Sequence, residues 1–136
     1  KALTPCTLYF SATSLLIQGA DLRIISKNSI FMIHVGDHNC QSDDPKQQKS
    51  FIEQVEKQTD LAVEIFAERL SKGKFYNKTA IPAIKKNIYK KYEQKIDWWL
   101  LAEEAIEYGF ADGILGSDEY STVEDIRNAM LNEGEE

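Results

Sequence analysis

The chain has 136 residues, of which 43% are hydrophobic and 28% charged, with a formal net charge of −6. That composition fits a single globular domain large enough to bury a core, with no internal repeat and no low-complexity segment. No apolar run is long enough to span a membrane, and two cysteines, Cys6 and Cys40, are too few for a disulfide framework, so a reducing, cytoplasmic setting is expected.

The first stretch, Thr4 to His34, reads as strand, helix and two further strands. Thr4 to Phe10 is β-prone, with Thr, Tyr and Phe. Ser11 follows, and Ala12 to Gln18 is a short apolar helix stopped by Gly19. Leu22 to Ile25 and Ser29 to Ile33 are apolar runs of strand length on either side of the turn-like Ser26-Lys27-Asn28. Ser11 thus stands where a strand hands over to a helix, and His34 where a strand runs out. Catalytic side chains of α/β folds commonly occupy both places.

Val35 to Asp43 is polar and reads as a loop. Asp44-Pro45-Lys46-Gln47 supplies an N-cap, a proline at the first helical position and a glutamine at the third, so a long helix is expected to about Ser71. Its apolar stripe is Phe51, Ile52, Val55, Ala62, Val63, Phe66 and Leu70, interrupted at Gln58 and Thr59. Lys72 to Lys78 is a turn. Ala80 to about Tyr92 is a second helix, with Ile81, Ile84, Ile88 and Tyr92 on one face. Ile96 to Leu100 reads as a strand whose adjacent Trp98 and Trp99 face opposite sides. Ala102 to Tyr108 is a short helix closed by Gly109, Phe110 to Leu115 a strand, and Ser121-Thr122-Val123-Glu124 a capping box that opens a last helix to about Leu131.

Charge is unevenly spread. Residues 1–40 sum to +1, 41–100 to +3 and 101–136 to −10. The acidic end argues against nucleic-acid binding. The lysines at 72, 74, 78, 85, 86, 90, 91 and 95 read as a solvated helix face.

Several segments together resemble the Clp protease proteolytic subunit, especially the short forms of phage and prophage. They are Phe10-Ser11-Ala12-Thr13-Ser14, Gln18-Gly19-Ala20-Asp21, Lys27-Asn28-Ser29, Met32-Ile33-His34 and the later Leu101-Ala102-Glu103-Glu104-Ala105-Ile106-Glu107-Tyr108-Gly109-Phe110-Ala111-Asp112. The resemblance runs from about Thr4 to about Leu115, and the 23-residue step from Ser11 to His34 agrees with the short forms. It implies an α/β fold of the Clp protease/crotonase-like superfamily. Residues 1–136 would be one partial domain, the C-terminal two-thirds, without the N-terminal strands and the Gly-Gly turn that precede this point in the family. It also implies a serine endopeptidase acting on unfolded polypeptides by acyl transfer. A ring-shaped homo-oligomer, heptameric or in stacked rings, would be interlocked by the long helix, and an ATPase unfoldase is the candidate partner.

In that reading Ser11 is the nucleophile, His34 the general base and the Ala12 backbone N–H an oxyanion donor. Counting back from Leu101 by the family's pattern places the acid at Glu93, with Asp97, four positions later, as the alternative. One departure from the pattern is the bulk of Leu8, Tyr9 and Phe10, where the family has small residues. No cofactor is implied. His34, Asp37, His38 and Cys40 offer ligand types for a transition metal, but they crowd one loop with no second pair elsewhere, and no metal site is expected. Two alternatives remain: a catalytically silent ring subunit of the same fold, and a crotonase-like acyl-CoA enzyme that would need neither Ser11 nor His34.

Overall fold

A computed structural model describes residues 8–10, 12–34 and 38–132. It shows a mixed α/β chain in the order β1 (Leu8–Phe10), α1 (Ala12–Leu16), a 3-10 turn (Ile17–Gly19), β2 (Ile24–Ser26), β3 (Ile30–Ile33), α2 (Pro45–Lys72), α3 (Ile81–Glu93), β4 (Trp98–Leu101), α4 (Ala102–Glu107), β5 (Gly113–Leu115) and α5 (Val123–Asn132). One sheet has the order β1-β3-β4, and β2 pairs with β5 in a second. The β1–β3 and β2–β5 pairs are parallel, whereas β3–β4 is antiparallel with Ile30 opposite Leu101 and Ile33 opposite Trp98.

Alternation along β3 and β4 decides which sheet face meets the helices. Phe31, Ile33 and Leu100 are buried and belong to the main core, with Trp98 packed against it. Trp99 and Leu101, on the opposite face, are about half exposed, at 51% and 59%. The core continues through Val63, Phe66, Ala67 and Leu70 of α2, Ile84 and Ile88 of α3, and Ala105 and Phe110 after β4. Phe110 is its centre. It stacks on Phe31 at 5.1 Å and takes the edge of Phe66 at 5.7 Å. A smaller cluster of Ile24, Tyr120 and Ile126 seats α5 on the second sheet.

The stripe of α2 divides in two. Val63, Phe66 and Leu70 are buried within the chain, but Phe51 and Val55 are only half-buried and Ile52 is exposed. Asp44 caps the helix by accepting from the Lys46 amide at 2.9 Å, and Gln48 rather than Gln47 reaches back, to the Ser42 carbonyl. At the far end Gly73 lies against the Tyr108–Gly109 peptide. A Cβ there would overlap the Tyr108 carbonyl group and come within 2.7 Å of the Gly109 nitrogen. Gly109 itself has φ +84°, the left-handed geometry in which glycine closes α4.

The capping box of α5 sits one residue later than Ser121–Glu124. The Asp125 amide donates to Thr122 Oγ1 at 3.2 Å, and Asp125 Oδ2 accepts from the Thr122 amide at 2.7 Å. Both registers satisfy the sequence rule, and the chain adopts Thr122–Asp125. Hydrogen bonds from Thr122 and Ser121, led by that of the Thr122 hydroxyl, hold the Asp125 carboxyl below its usual range.

Candidate functional site

β1 and β3 run parallel with Phe10 opposite Met32. The chain therefore leaves β1 for α1, and leaves β3 after Ile33, at the same sheet edge. Ser11 lies outside the described residues, as do Asp37 and Cys6. Its neighbours frame it: Phe10 ends β1 and Ala12 opens α1. As the first residue of a helix, Ala12 has a backbone N–H with no intrahelical acceptor.

His34 is partly buried, with a side-chain exposure of 27%, and its Nδ1 lies 4.0 Å from Asp97 Oδ1. Register explains the pairing. The antiparallel ladder that sets Ile33 opposite Trp98 places the next residue of each strand, His34 and Asp97, side by side. At 4.0 Å the two are beyond direct hydrogen-bond reach, yet close enough to attract once the ring is protonated or to share one water. In sites without substrate, catalytic hydrogen bonds are often this long.

Glu93, the first choice for the acid from the sequence, is exposed at the last position of α3. Among the described residues it makes no ion pair with His34. The chain between the two candidates folds back sharply. The Ile96 amide bonds to the Lys91 carbonyl, and Lys95 takes φ +50°. That turn leaves Glu93 on the helix and delivers Asp97 to the mouth of the β3–β4 ladder.

Beside His34 opens a cleft of about 370 Å³. Leu15 of α1, Ile33, and Leu61, Ala62 and Phe66 of α2 supply apolar wall, while His38, Gln58, Thr59 and Tyr92 add polar groups. The helix that begins next to position 11 and the strand that ends at His34 thus share one cavity wall. Burial pushes the Tyr92 hydroxyl, in the cleft wall, up to about 12.

No group of three or more His, Cys, Asp and Glu is placed to hold a metal ion among the described residues. Trp98 packs edge-on against Tyr108 at 4.8 Å and Phe110 at 5.9 Å, with Lys91 Nζ 4.7 Å from its ring centre. Trp98 thus belongs to the core edge, on the side opposite Trp99. No described helix is long and apolar enough to cross a membrane.

The sequence reading missed one polar group of consequence. Ser14 is fully buried and its Oγ donates to the Met32 carbonyl at 2.7 Å. A serine three residues into an apolar helix carries no pattern that marks it. No known family model matches the chain, and a search of curated proteins finds no match.

Proposed function

We propose that the chain is a serine endopeptidase of the Clp protease type, acting on unfolded polypeptide, with a Clp protease/crotonase-like fold. The observation that carries this reading is the pairing of His34 with Asp97 at the end of the sheet where β1 also gives way to α1, beside an apolar cleft. In this reading Asp97, rather than Glu93, is the acid.

The chemistry follows from the residue types. Ser11 Oγ attacks the scissile carbonyl carbon while His34 Nε2 takes its proton. Asp97, on the Nδ1 side, holds the ring in the tautomer that leaves Nε2 unprotonated and then stabilises the imidazolium. The Ala12 N–H donates to the tetrahedral oxyanion. His34 returns the proton to the leaving amine, and water hydrolyses the acyl-enzyme by the same steps in reverse roles. An apolar side chain of the substrate would enter the cleft.

The same reading makes the working form a ring-shaped homo-oligomer in the cytoplasm, heptameric or in stacked rings, with an ATPase unfoldase as the candidate partner that feeds it. The exposed first half of α2, around Ile52, is the surface available for such assembly.

Labelling with a fluorophosphonate followed by peptide mapping tests the proposal. Modification of Ser11, lost in His34→Ala, is the expected result. A chain that stays unlabelled at Ser11, with peptidase activity absent, would instead fit a silent ring subunit, and acyl-CoA turnover surviving Ser11→Ala would fit a crotonase-like enzyme.

A further inference from the structure

We infer that Ser14 is a positioning residue for the proposed triad: its hydroxyl pins the helix that follows the nucleophile to the strand that carries the base. This rests on the serine-peptidase reading of Ser11 and His34.

Ser14 lies three residues after Ser11, and Met32 two residues before His34. The 2.7 Å bond from Ser14 Oγ to Met32 O therefore ties the helix that follows position 11 in the chain to the strand that leads to His34. The tie is fully buried, where a hydrogen bond is strong and water cannot substitute for it. The rest of the helix is held by a second set of contacts. Buried Gln18 donates to the Ser14 carbonyl at 3.0 Å and to the Phe110 carbonyl at 3.4 Å, while its Oε1 accepts from Arg23 Nη1 at 2.9 Å. Arg23 is itself buried and fixed by Asp112 and the Gly109 carbonyl, and Arg69 donates to the Gln18 carbonyl. α1 has only five residues and too little helix of its own to fix its orientation. Those contacts anchor its far end, and the Ser14 hydrogen bond couples its near end to β3.

An alanine at 14 is compatible with the fold, since it is smaller and the best helix former. The lost bond should then appear as misplacement rather than unfolding. Displacements of about 1 Å at a catalytic group cost up to roughly a hundred-fold in rate.

The test compares parent, Ser14→Ala and Ser14→Cys in the full chain. Cysteine keeps the shape but is a weak donor. Two quantities are read: amide hydrogen exchange across α1, and fluorophosphonate labelling of Ser11 resolved into its maximal rate and its half-saturating concentration. The expected result is faster exchange in α1 for Ser14→Ala. Its maximal labelling rate should fall roughly ten- to a hundred-fold with half-saturation unchanged, and Ser14→Cys should lie between. Labelling in Ser14→Ala equal to the parent overturns the inference and leaves the triad reading standing. So does a labelling loss with α1 exchange unchanged. A parent that is never labelled at Ser11 defeats the triad reading itself, and the positioning role with it.

Discussion

His34 and Asp97 stand side by side because they are the residues just beyond Ile33 and Trp98, the last pair of the β3–β4 ladder. Their 4.0 Å separation is set by strand register, not by long flexible arms, so it is a property of the fold.

That relationship yields two opposed mutant outcomes. Asp97→Asn should preserve the fold and lower kcat on the order of 10⁴-fold. The amide can donate to Nδ1, which leaves the proton on the wrong nitrogen and cannot stabilise the imidazolium. Glu93→Gln should stay near parental, since Glu93 is exposed at the end of α3 and, among the described residues, makes no ion pair with His34. Peptidase assays on the two variants check both. Near-normal turnover in Asp97→Asn, with Ser11→Ala inactive, would reduce the site to a dyad.

The segment from Glu93 to Asp97 shows what a sequence can and cannot carry. The strand end at Phe10, the helix start at Ala12 and the strand end at Ile33 are legible because strand ends and helix starts leave local marks in the residue pattern. That Asp97 rather than Glu93 lies beside His34 depends on where α3 stops, and that follows from the Lys91–Ile96 turn and from pairing with β3, a strand more than sixty residues earlier. α2 was nearly complete in the sequence, from its Asp44–Pro45 start to Lys72. The division of its stripe into a buried and an exposed half was not, because it depends on the second half packing into the core and against α3, where Asp60 and Glu64 meet Tyr89 and Lys85.

That division gives a prediction about assembly. Ile52 is 56% exposed on a helix whose later positions Val63, Phe66 and Leu70 are buried. If the first half of α2 packs on another copy, Ile52→Glu should shift the sedimenting species towards monomer at micromolar concentration. Its thermal midpoint as a monomer should change little, since an exposed site costs little to alter. A parent chain that sediments as a monomer would remove this role for the helix.

Arg23 and Asp112 are joined by a forked pair that bridges the start of β2 to the segment before β5. The Arg23 side chain is 6% exposed and that of Asp112 30%. Asp112→Ala leaves a buried guanidinium with only Gln18 and the Gly109 carbonyl, and should destabilise by about 3 kcal/mol. Urea unfolding checks the value. A double variant, Arg23→Met with Asp112→Ala, should recover part of the loss, because it no longer buries an unpaired charge.

The last prediction concerns alkaline pH. Tyr92 is pushed up to about 12 by burial, and nearby Tyr89 rises to about 12 because it donates to Asp60 at 2.5 Å, with burial and the Asp60 and Glu64 charges adding to this. In the unfolded chain both ionise near 10. A group whose folded value is raised contributes stability that is fully present below the unfolded value and is lost as pH rises through the folded one. The protein should therefore hold its stability up to about pH 10 and lose it progressively towards pH 12. Tyr92, the more buried of the two, should contribute roughly 2–3 kcal/mol of that loss. Tyr92→Phe keeps the ring and removes the ionisation, so the slope of unfolding free energy between pH 10 and pH 12 should become shallower in that variant. Denaturant unfolding at a series of pH values measures the slope directly. An identical slope in Tyr92→Phe would mean that the phenol at the cleft wall ionises as readily folded as unfolded.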